Sequence, residues 1–266
     1  MWVGSSNNYA YIVSDEKTKD AVIIDPANPE EVLPVLDDLV KSGKVKLTAI
    51  VNTHHHPDHA GGNAKLLEVY PNTTVIGGKD CDKVSQTPGN KEKLKIGTAI
   101  NVTALHTPCH TQDSICWYME DKEKDQRVVF TGDTLFIGGC GKFFEGTPAE
   151  MHDALNKVLS ALPDDTKVFV RDLSERRLSL LMRFQPGHEY TKSNCKFLNK
   201  VLQTEAVKKL TSFAENNKET QGQFTMGDEK QYNVFMRVED PEVQKATGES
   251  DPVAVMGKLR EMKNSM

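Results

Sequence analysis

Short apolar runs alternate with amphipathic segments over the first two thirds of the chain. Residues 9–13 and 21–24 are β-branched and aromatic runs bounded by Asp, Lys and Pro, and they predict a β-hairpin. Pro29 then opens a segment with the i, i+3, i+4 spacing of an amphipathic helix, formed by Val32, Val35, Leu36, Leu39 and Val40. Further strands are predicted at 47–52, 74–76, 100–105, 115–119, 128–131 and 167–169, and helices at 60–70 and 148–162. This mixture indicates a layered α/β or α+β domain.

The pattern changes at about residue 191. Apolar residues then recur at helical spacing, at Leu198, Val201, Leu202, Val207 and Leu210, and residues 252–262 predict another helix. No strand pattern in this part of the sequence is comparably clear. We therefore expect a larger α/β domain at 1–190 and a small helical C-terminal domain at 191–266.

Composition excludes several classes of protein. The chain has 266 residues, 38% hydrophobic and 27% charged, which supports a globular core. Its 33 Lys and Arg against 38 Asp and Glu give a net charge of −5, which does not favour nucleic-acid binding. Because the sequence has no membrane-spanning apolar run and no signal-peptide pattern, we expect a cytoplasmic protein with no membrane partner. The five cysteines form no C-x-x-C pair and are expected to be buried thiols.

Four of the eight histidines lie within Thr-His-His-His-Pro-Asp-His at 53–59, directly after a predicted strand. If strand geometry continues, His54 and His56 point the same way, because alternate side chains of a strand share a face. Asp58 and His59 add a carboxylate and a third imidazole, which is more than one tetrahedral metal ion needs. The cluster therefore predicts a site for two adjacent metal ions rather than an incidental polar loop.

Three later residues, each at a predicted strand end, are candidates to complete such a site: His110, Asp133 and His188. A single loop His or Asp is more often a solvated residue than a ligand, but their occurrence together with the histidine cluster favours ligation. An Asp carboxylate can bridge two metal ions through its two oxygens. His106 and His152 lack this context and are expected to be structural or surface residues.

The motif His-x-His-x-Asp-His at 54–59 resembles the metallo-β-lactamase superfamily. Within it, further segments are similar to the glyoxalase II family of hydroxyacylglutathione hydrolases, at 7–9, 53–63, 107–111, 132–136, 139–147 and 186–191. The resemblance covers nearly the whole chain and implies an αββα sandwich followed by a helical C-terminal domain. It also implies an enzyme that hydrolyses S-(2-hydroxyacyl)glutathione thioesters, above all S-D-lactoylglutathione, in methylglyoxal detoxification.

The same resemblance implies a ligand set for two divalent metal ions. One ion would be bound by His54, His56 and His110, the other by Asp58, His59 and His188, with Asp133 bridging them and Asp58 and Asp133 as the catalytic residues. Zn²⁺ is expected, with Fe or Mn as alternatives, because imidazole and carboxylate ligands suit all three. Asp25 either orients a ligand from behind or is only a turn residue before Pro26.

Glutathione carries carboxylates that call for cations and backbone donors. The resemblance assigns its binding to Lys142, Phe144, Tyr190, Arg260 and Lys263. Some relatives have Tyr at position 144, so a hydroxyl contact is absent here, although the Phe144 ring can still wall a pocket. Without the resemblance, the two C-terminal cations would be interpreted as solvated helix charges. The expected partner is a small-molecule glutathione thioester, and the expected state is a monomer.

Two other functions fit part of the pattern. A glutathione persulfide dioxygenase shares the fold and much of the histidine motif, but it uses a single iron and needs no second ligand set. An inactive glutathione-conjugate-binding homologue would result if an insertion displaced His188. The hydrolase is favoured by Asp58, His59, Arg260 and Lys263, and a metal count separates the three.

The sequence departs from the family at two places. It begins at Met1-Trp2-Val3, where relatives have a few more residues, so an upstream start and a mitochondrial location are an alternative to the cytoplasm.

Residues 170–185 lie between Lys-Val-Phe and Pro-Gly-His-Glu-Tyr, which follow each other almost directly in the family. Their first two residues, Val-Arg, can be encoded by GTAAGA and their last, Gln, by CAG, which are expected intron ends. We interpret the segment as translated intron, and the alternative is a genuine basic amphipathic loop.

We predict that deleting 170–185 leaves metal binding and thioester hydrolysis intact or improved, because a translated intron makes no contacts that the domain needs. A genuine loop would behave differently, since its deletion would expose the surface that its apolar residues cover. The measurements are the metal content and activity of both versions and the sequence of the mature transcript. A transcript containing the segment, together with lower activity after deletion, would refute the intron hypothesis.

Overall fold

The computed structural model describes residues 10–169, 190–217, 220 and 222–266. The strands are β1 Tyr11–Ser14, β2 Asp20–Ile24, β3 Lys46–Val51, β4 Thr74–Ile76, β5 Lys93–Ile96, β6 Ile100–His106, β7 Ile115–Asp121, β8 Gln126–Phe130, β9 Leu135–Phe136, β10 Gly139–Cys140 and β11 Lys167–Phe169. The α-helices are α1 Pro29–Lys41, α2 Pro57–Ala60, α3 Asn63–Val69, α4 Pro148–His152, α5 Thr191–Val201, α6 Glu205–Asn216, α7 Met226–Tyr232, α8 Pro241–Thr247 and α9 Pro252–Asn264. The predicted insertion at 170–185 and the predicted ligand His188 lie outside the described residues.

The described residues form two compact units that alternate along the chain. The first contains 10–106 and 115–128, and the second contains 107–114, 129–169 and the described residues from 190 onward. The sequence prediction instead divides the chain once, at residue 190. That domain boundary stays a prediction.

The first unit contains two sheets. In one, the order is β1-β2-β3-β4, with β1 antiparallel to β2 and the other neighbours parallel. Parallel neighbours need crossover connections, which α1 and the pair α2 and α3 provide. In the other sheet β5, β6 and β7 are antiparallel neighbours, followed by β8. Side chains from both sheets, including Val22, Ala49, Val102 and Trp117, line one cavity of about 200 Å³, so the sheets face each other.

The second unit is mainly helical and includes the short antiparallel pair β9 and β10. Helices α4 and α9 begin at well-capped positions: Thr147 and Glu150 form a capping box on α4, and the Asp251 side chain accepts from the Ala254 N–H at 2.9 Å on α9. Aromatic rings fill its interior, with Phe197 stacked on Phe235 at 5.9 Å between ring centroids. The helical spacing from Leu198 to Leu210 corresponds to α5 and α6, and the helix predicted at 252–262 is present as α9.

Two predicted helices differ from the structure. Of the helix predicted at 60–70, residues 63–69 form α3, whereas Ala60 ends the separate short helix α2. A Cβ at Gly62, between the two helices, would lie 1.8 Å from the Pro26 carbonyl oxygen, so this position requires glycine. The helix predicted at 148–162 continues beyond α4 as a π-helical stretch, Asp153–Val158, and a 3₁₀ turn, Leu159–Ala161. All five cysteines are buried thiols that form no disulfide, as predicted. Within the described ranges, each helix is too short or too polar to cross a bilayer.

One buried carboxylate joins the two sheets of the first unit. Asp15 follows β1 and is 1% exposed. It accepts the N–H groups of Lys17 and Thr18 in its own turn, and those of Thr98 at 2.6 Å and Ala99 at 2.8 Å in the turn between β5 and β6. Although burial raises the Asp15 pKa, these backbone donors outweigh it and hold the pKa well below its usual value of 3.8.

We predict that Asp15→Asn destabilises the protein by about 2–4 kcal/mol at pH 7, because the amide puts a donor opposite N–H groups that need an acceptor. The carboxylate stabilises the fold fully above its unfolded pKa of 3.8, and this contribution is lost as the pH falls below that value. Denaturant unfolding at pH 7 and pH 3 measures both effects. Asp82→Asn, at an exposed position of the same unit, is the matched control, and an equal effect of the two substitutions would contradict the prediction.

Candidate metal centre and substrate cavity

The carboxyl ends of β2 and β3 bring Asp25 against the histidine loop. These strands are parallel neighbours, so the residues that follow them emerge at the same edge. Asp25 accepts the Thr53 N–H and the Thr53 hydroxyl, both at 2.7 Å, and its Oδ2 lies 2.9 Å from His59 Nδ1. A proton on His59 Nδ1 would be shared with this carboxylate, which leaves Nε2 to act as a ligand. The structure therefore favours the orienting role of Asp25 over that of a simple turn residue.

Four predicted ligands lie together in the first unit. His54 Nε2 is 3.0 Å from His56 Nδ1, and the His54 and His59 rings have centroids 4.0 Å apart. The nearest Asp58 oxygen is 4.0 Å from His59 Nε2. The expected reason for the His54 and His56 pairing was wrong, since β3 ends at Val51 and the ligands occupy a bend before α2. The loop, rather than a continued strand, brings the two imidazoles together.

Buried amides and an indole hold this loop from behind. The Asn52 side chain donates to the His59 carbonyl at 3.3 Å, and Asn63 donates to Asn52 Oδ1 at 2.7 Å. Trp117 Nε1 donates to the Asn52 carbonyl at 3.0 Å. Because Asn52, Asn63 and Trp117 are each 0% exposed, these bonds have no competition from water. The ligand loop is therefore fixed at both ends.

His110 and Asp133 lie together in the second unit. His110 Nδ1 is 2.9 Å from the Lys142 carbonyl oxygen, and its Nε2 is 3.4 Å from Asp133 Oδ2. Gly141 permits this approach, because a Cβ there would lie 1.9 Å from the Asp133 carbonyl oxygen. The carbonyl of Lys142 thus selects the His110 tautomer with a proton on Nδ1, and Nε2 and the carboxylate are directed toward the same point.

The chemistry of these donors fits divalent metal ions. His54, His59 and His110 are buried. In His59 and His110, the Nδ1 atom lies within hydrogen-bond distance of an acceptor oxygen, an arrangement that orients metal-binding imidazoles. Neutral imidazole and carboxylate oxygen suit zinc, iron and manganese. The described residues therefore include His and Asp groups able to bind divalent metals, although the ligand roles of His54, His56, Asp58, His59, His110 and Asp133 stay predictions.

A cavity of about 590 Å³ lies within the second unit, next to His110 and Asp133. Its lining includes every residue for which the resemblance implies substrate binding: Lys142, Phe144, Tyr190, Arg260 and Lys263. The rim is aromatic, with Phe144 63% and Tyr190 39% exposed. The Phe144 ring lies 5.1 Å from that of His110, so the cavity is walled by an aromatic ring beside a candidate metal ligand.

The inner wall of the cavity is cationic. Arg260 is 7% exposed and donates to the Cys140 carbonyl at 3.1 Å, and its buried Nε has no hydrogen-bond partner among the described residues. Lys263 donates to Asn194 Oδ1. Burial, with a smaller contribution from the nearby Arg260 charge, lowers the Lys263 pKa to about 8. Because the positive charges of the buried Arg260 and the half-buried Lys263 destabilise each other, an anionic ligand would stabilise both charged forms.

Sequence reasoning missed three residues around this cavity. Lys196 and Asn194 line it from α5. Glu229 of α7 is a fully buried carboxyl group that accepts the Gly138 N–H, two residues before Cys140 of the cavity lining. The exposed Lys196 gave no signal, because a helix lysine is usually solvated. Glu229 did carry one: it lies at helical spacing with the buried Met226 and Tyr232, where a charged residue needs a partner.

Two family profiles match the sequence. Residues 3–171 match the metallo-beta-lactamase superfamily, and residues 189–266 match the hydroxyacylglutathione hydrolase C-terminus. The two matches leave out 172–188, which includes most of the predicted insertion and His188. The predicted fold class, a metallo-β-lactamase sandwich with a helical C-terminal region, is confirmed by the superfamily match and by fold neighbours.

The chain is similar over its whole length to three yeast proteins. It is 50% identical to a probable hydroxyacylglutathione hydrolase, glo2, of Schizosaccharomyces pombe, over 100% of this chain and 96% of that protein. It is 45% identical to the cytoplasmic isozyme of hydroxyacylglutathione hydrolase in Saccharomyces cerevisiae, over 100% and 97% of the two chains. The mitochondrial hydroxyacylglutathione hydrolase of the same yeast is 38% identical, over 100% and 93%.

A solved structure, TTHA1623 in a di-iron-bound form, has 27% identity and a TM-score of 0.50, over 63% of this chain and 88% of that one. It is a more distant relative than the yeast proteins. The similarity to those enzymes at 45–50% identity confirms the predicted activity class, a thioester hydrolase. Because both family profiles match in chain order and the relatives that match over the full length share one activity, the chain belongs to the metallo-β-lactamase superfamily and, within it, to the hydroxyacylglutathione hydrolases.

Proposed function

We propose that the protein hydrolyses S-D-lactoylglutathione to D-lactate and glutathione, a step of methylglyoxal detoxification. The observation that carries this proposal is the cationic cavity of the second unit, because its lining combines the candidate ligands His110 and Asp133 with the cations Arg260 and Lys263. A glutathione thioester combines the matching groups, a reactive carbonyl and carboxylates. The names of the yeast relatives support the same substrate class.

We propose that two divalent metal ions are bound by the seven predicted ligands: His54, His56, Asp58, His59, His110, Asp133 and His188. Zinc is the expected metal, and iron and manganese are the alternatives. The di-iron neighbour and the His and Asp donors support this assignment. When bound, the two ions would lower the pKa of water toward neutrality and polarise the thioester carbonyl. The catalytic roles proposed for Asp58 and Asp133 are to bind them.

The chain's own groups orient and bind. Asp25 and the Lys142 carbonyl fix the Nδ1 atoms of His59 and His110, so that each ring keeps one orientation during turnover. Arg260, Lys263 and Lys142 supply positive charge for the glutathione carboxylates, and Phe144 and Tyr190 supply apolar surface at the rim. The thiolate product needs no strong protein acid, since a free thiol has a pKa of about 8.5.

The cellular location and the oligomeric state are also proposals. Relatives include cytoplasmic and mitochondrial isozymes. The higher identity with the cytoplasmic isozyme, 45% against 38%, supports a cytoplasmic location. A monomer stays the expectation from the sequence.

We predict that the purified protein binds close to two metal ions, and that His54→Ala or Asp133→Ala abolishes hydrolysis of S-D-lactoylglutathione while the circular dichroism spectrum is unchanged. The loss follows because each substitution removes a proposed ligand. Elemental analysis and a thioester assay provide the measurements. His152→Ala is the control, since His152 lies on α4 outside the proposed ligand set. One metal ion or none in an active preparation would contradict the binuclear proposal.

We predict that Arg260→Ala or Lys263→Ala raises KM by a few-fold to about a hundredfold without loss of metal, because a charged contact is worth roughly 0.5–3 kcal/mol. Steady-state kinetics and elemental analysis on the same samples separate the two effects. Lys258→Ala is the matched control, since Lys258 is an exposed cation of the same helix, paired with Glu261 at 3.2 Å. Unchanged KM in both cavity variants would remove α9 from the substrate site.

A further inference from the structure

The β9–β10 turn connects the candidate metal ligands to the substrate cations. Asp133 lies two residues before β9, whereas Lys142 lies two residues after β10. The pair is short, with Leu135 opposite Cys140 and Phe136 opposite Gly139. Two residues in each strand provide too little pairing to fix a hairpin, so its position depends on other contacts.

Side chains from the helices of the second unit hold the backbone of this turn at four consecutive residues. Asn194 donates to the Ile137 carbonyl at 2.8 Å, and Arg260 donates to the Cys140 carbonyl at 3.1 Å. Between them, the Gly138 N–H donates to the Glu229 carboxylate at 3.1 Å, and Asn233 donates to the Gly139 carbonyl at 3.1 Å. We call these four side chains, Asn194, Glu229, Asn233 and Arg260, the turn clasp.

Gly138 allows the clasp to close. Its φ of +68° is in the left-handed region, and a Cβ there would lie 2.9 Å from Leu198 Cδ1. A side chain at this position would therefore be strained and would push the turn away from α5. Glycine therefore keeps the turn against α5, with the Gly138 N–H directed at Glu229.

Glu229 is the centre of the clasp. It is 0% exposed, and besides Gly138 it accepts the Tyr232 hydroxyl at 2.6 Å and the Asn233 amide at 2.8 Å. Burial raises its pKa to about 8, against the opposing effect of these donors. A buried carboxyl group is costly even when fully hydrogen-bonded, and an apolar residue would fill the same space at less cost. This cost indicates a role in placing the turn.

The two flanks of the turn are not equally dependent on the clasp. The Asp133 side has its own anchors, since the Thr131 hydroxyl donates to the Leu135 carbonyl at 2.8 Å and Thr134 pairs with Thr107 at 3.0 Å. On the β10 side, the Lys142 carbonyl lies 2.9 Å from His110 Nδ1, whereas the Gly139 and Cys140 carbonyls are held by Asn233 and Arg260. Displacement of the turn would therefore move the β10 side, which leads to Lys142 and contacts Arg260, more than Asp133.

We propose that Glu229 and Asn233 are positioning residues for the glutathione-binding side of the cavity: by fixing Gly138 and Gly139, they set the position of Lys142 and of the Cys140 carbonyl that Arg260 contacts. The inference rests on the proposed function, because it assigns these cations to the substrate. If Glu229 and Asn233 are positioning residues, their substitution weakens substrate binding while metal content and kcat change little. A purely structural role would not separate these effects.

The test compares Glu229→Gln and Asn233→Ala with Tyr232→Phe. Glu229→Gln keeps one acceptor oxygen but replaces the other with an amide donor, which would face the Tyr232 hydroxyl or the Asn233 amide. Asn233→Ala removes the donor to the Gly139 carbonyl, and Tyr232→Phe removes a hydrogen bond to the same carboxylate without touching the turn. The measurements are the melting temperature, metal content, KM and kcat for S-D-lactoylglutathione, and the Kd of S-methylglutathione, which cannot be hydrolysed. We expect KM and Kd to rise about fivefold to fiftyfold in the first two variants and less than twofold in Tyr232→Phe.

The outcomes are distinct. If the wild-type protein neither hydrolyses the thioester nor binds S-methylglutathione, the proposed function fails and this inference fails with it. If the wild type binds but all three variants have its KM and Kd, only the positioning role is overturned. The same conclusion follows if Glu229→Gln and Asn233→Ala are unfolded while Tyr232→Phe is folded, because that result shows a role in stability alone.

Discussion

The arrangement of candidate ligands in the first unit depends on one buried carboxylate. Asp25 accepts two hydrogen bonds from Thr53 and contacts His59, so a single side chain fixes both the start and the end of the histidine loop. Its own backbone adopts a left-handed φ of +48°, which Asp and Asn tolerate better than most residues. The end of β2 therefore needs both a carboxylate and a residue that accepts this turn.

In the second unit, a backbone carbonyl rather than a carboxylate orients a candidate ligand. The Lys142 carbonyl fixes His110, and the position of that carbonyl depends on Gly141, which permits close approach to Asp133. Lys142 thus contributes twice, with its main chain beside a candidate ligand and its side chain in the cavity. Substitution of its side chain alone would test only the second contribution.

Much of this molecule could be predicted from its sequence where the signal is local. Strands such as β6 and β7 and the amphipathic helix α1 follow from periodicity, and the histidine cluster is unmistakable because four imidazoles lie within six positions. The short strands β9 and β10 could not be predicted from periodicity, since two residues show no alternation. Glu229 carried a partial signal in its helical spacing with Met226 and Tyr232, but its partner Gly138 is distant in sequence and is brought to it only by tertiary packing. The close approach of Gly62 to Pro26 likewise joins residues that are distant in sequence.

The burial of all five cysteines has a consequence for a protein that handles thiols. Thiol–disulfide exchange requires a thiolate, and burial raises the pKa of Cys109 to about 12 and also raises that of Cys140, which lines the cavity. Both therefore stay protonated at neutral pH. An enzyme that releases glutathione at every turnover would work beside a redox-active product, and these two thiols are kept unreactive toward it.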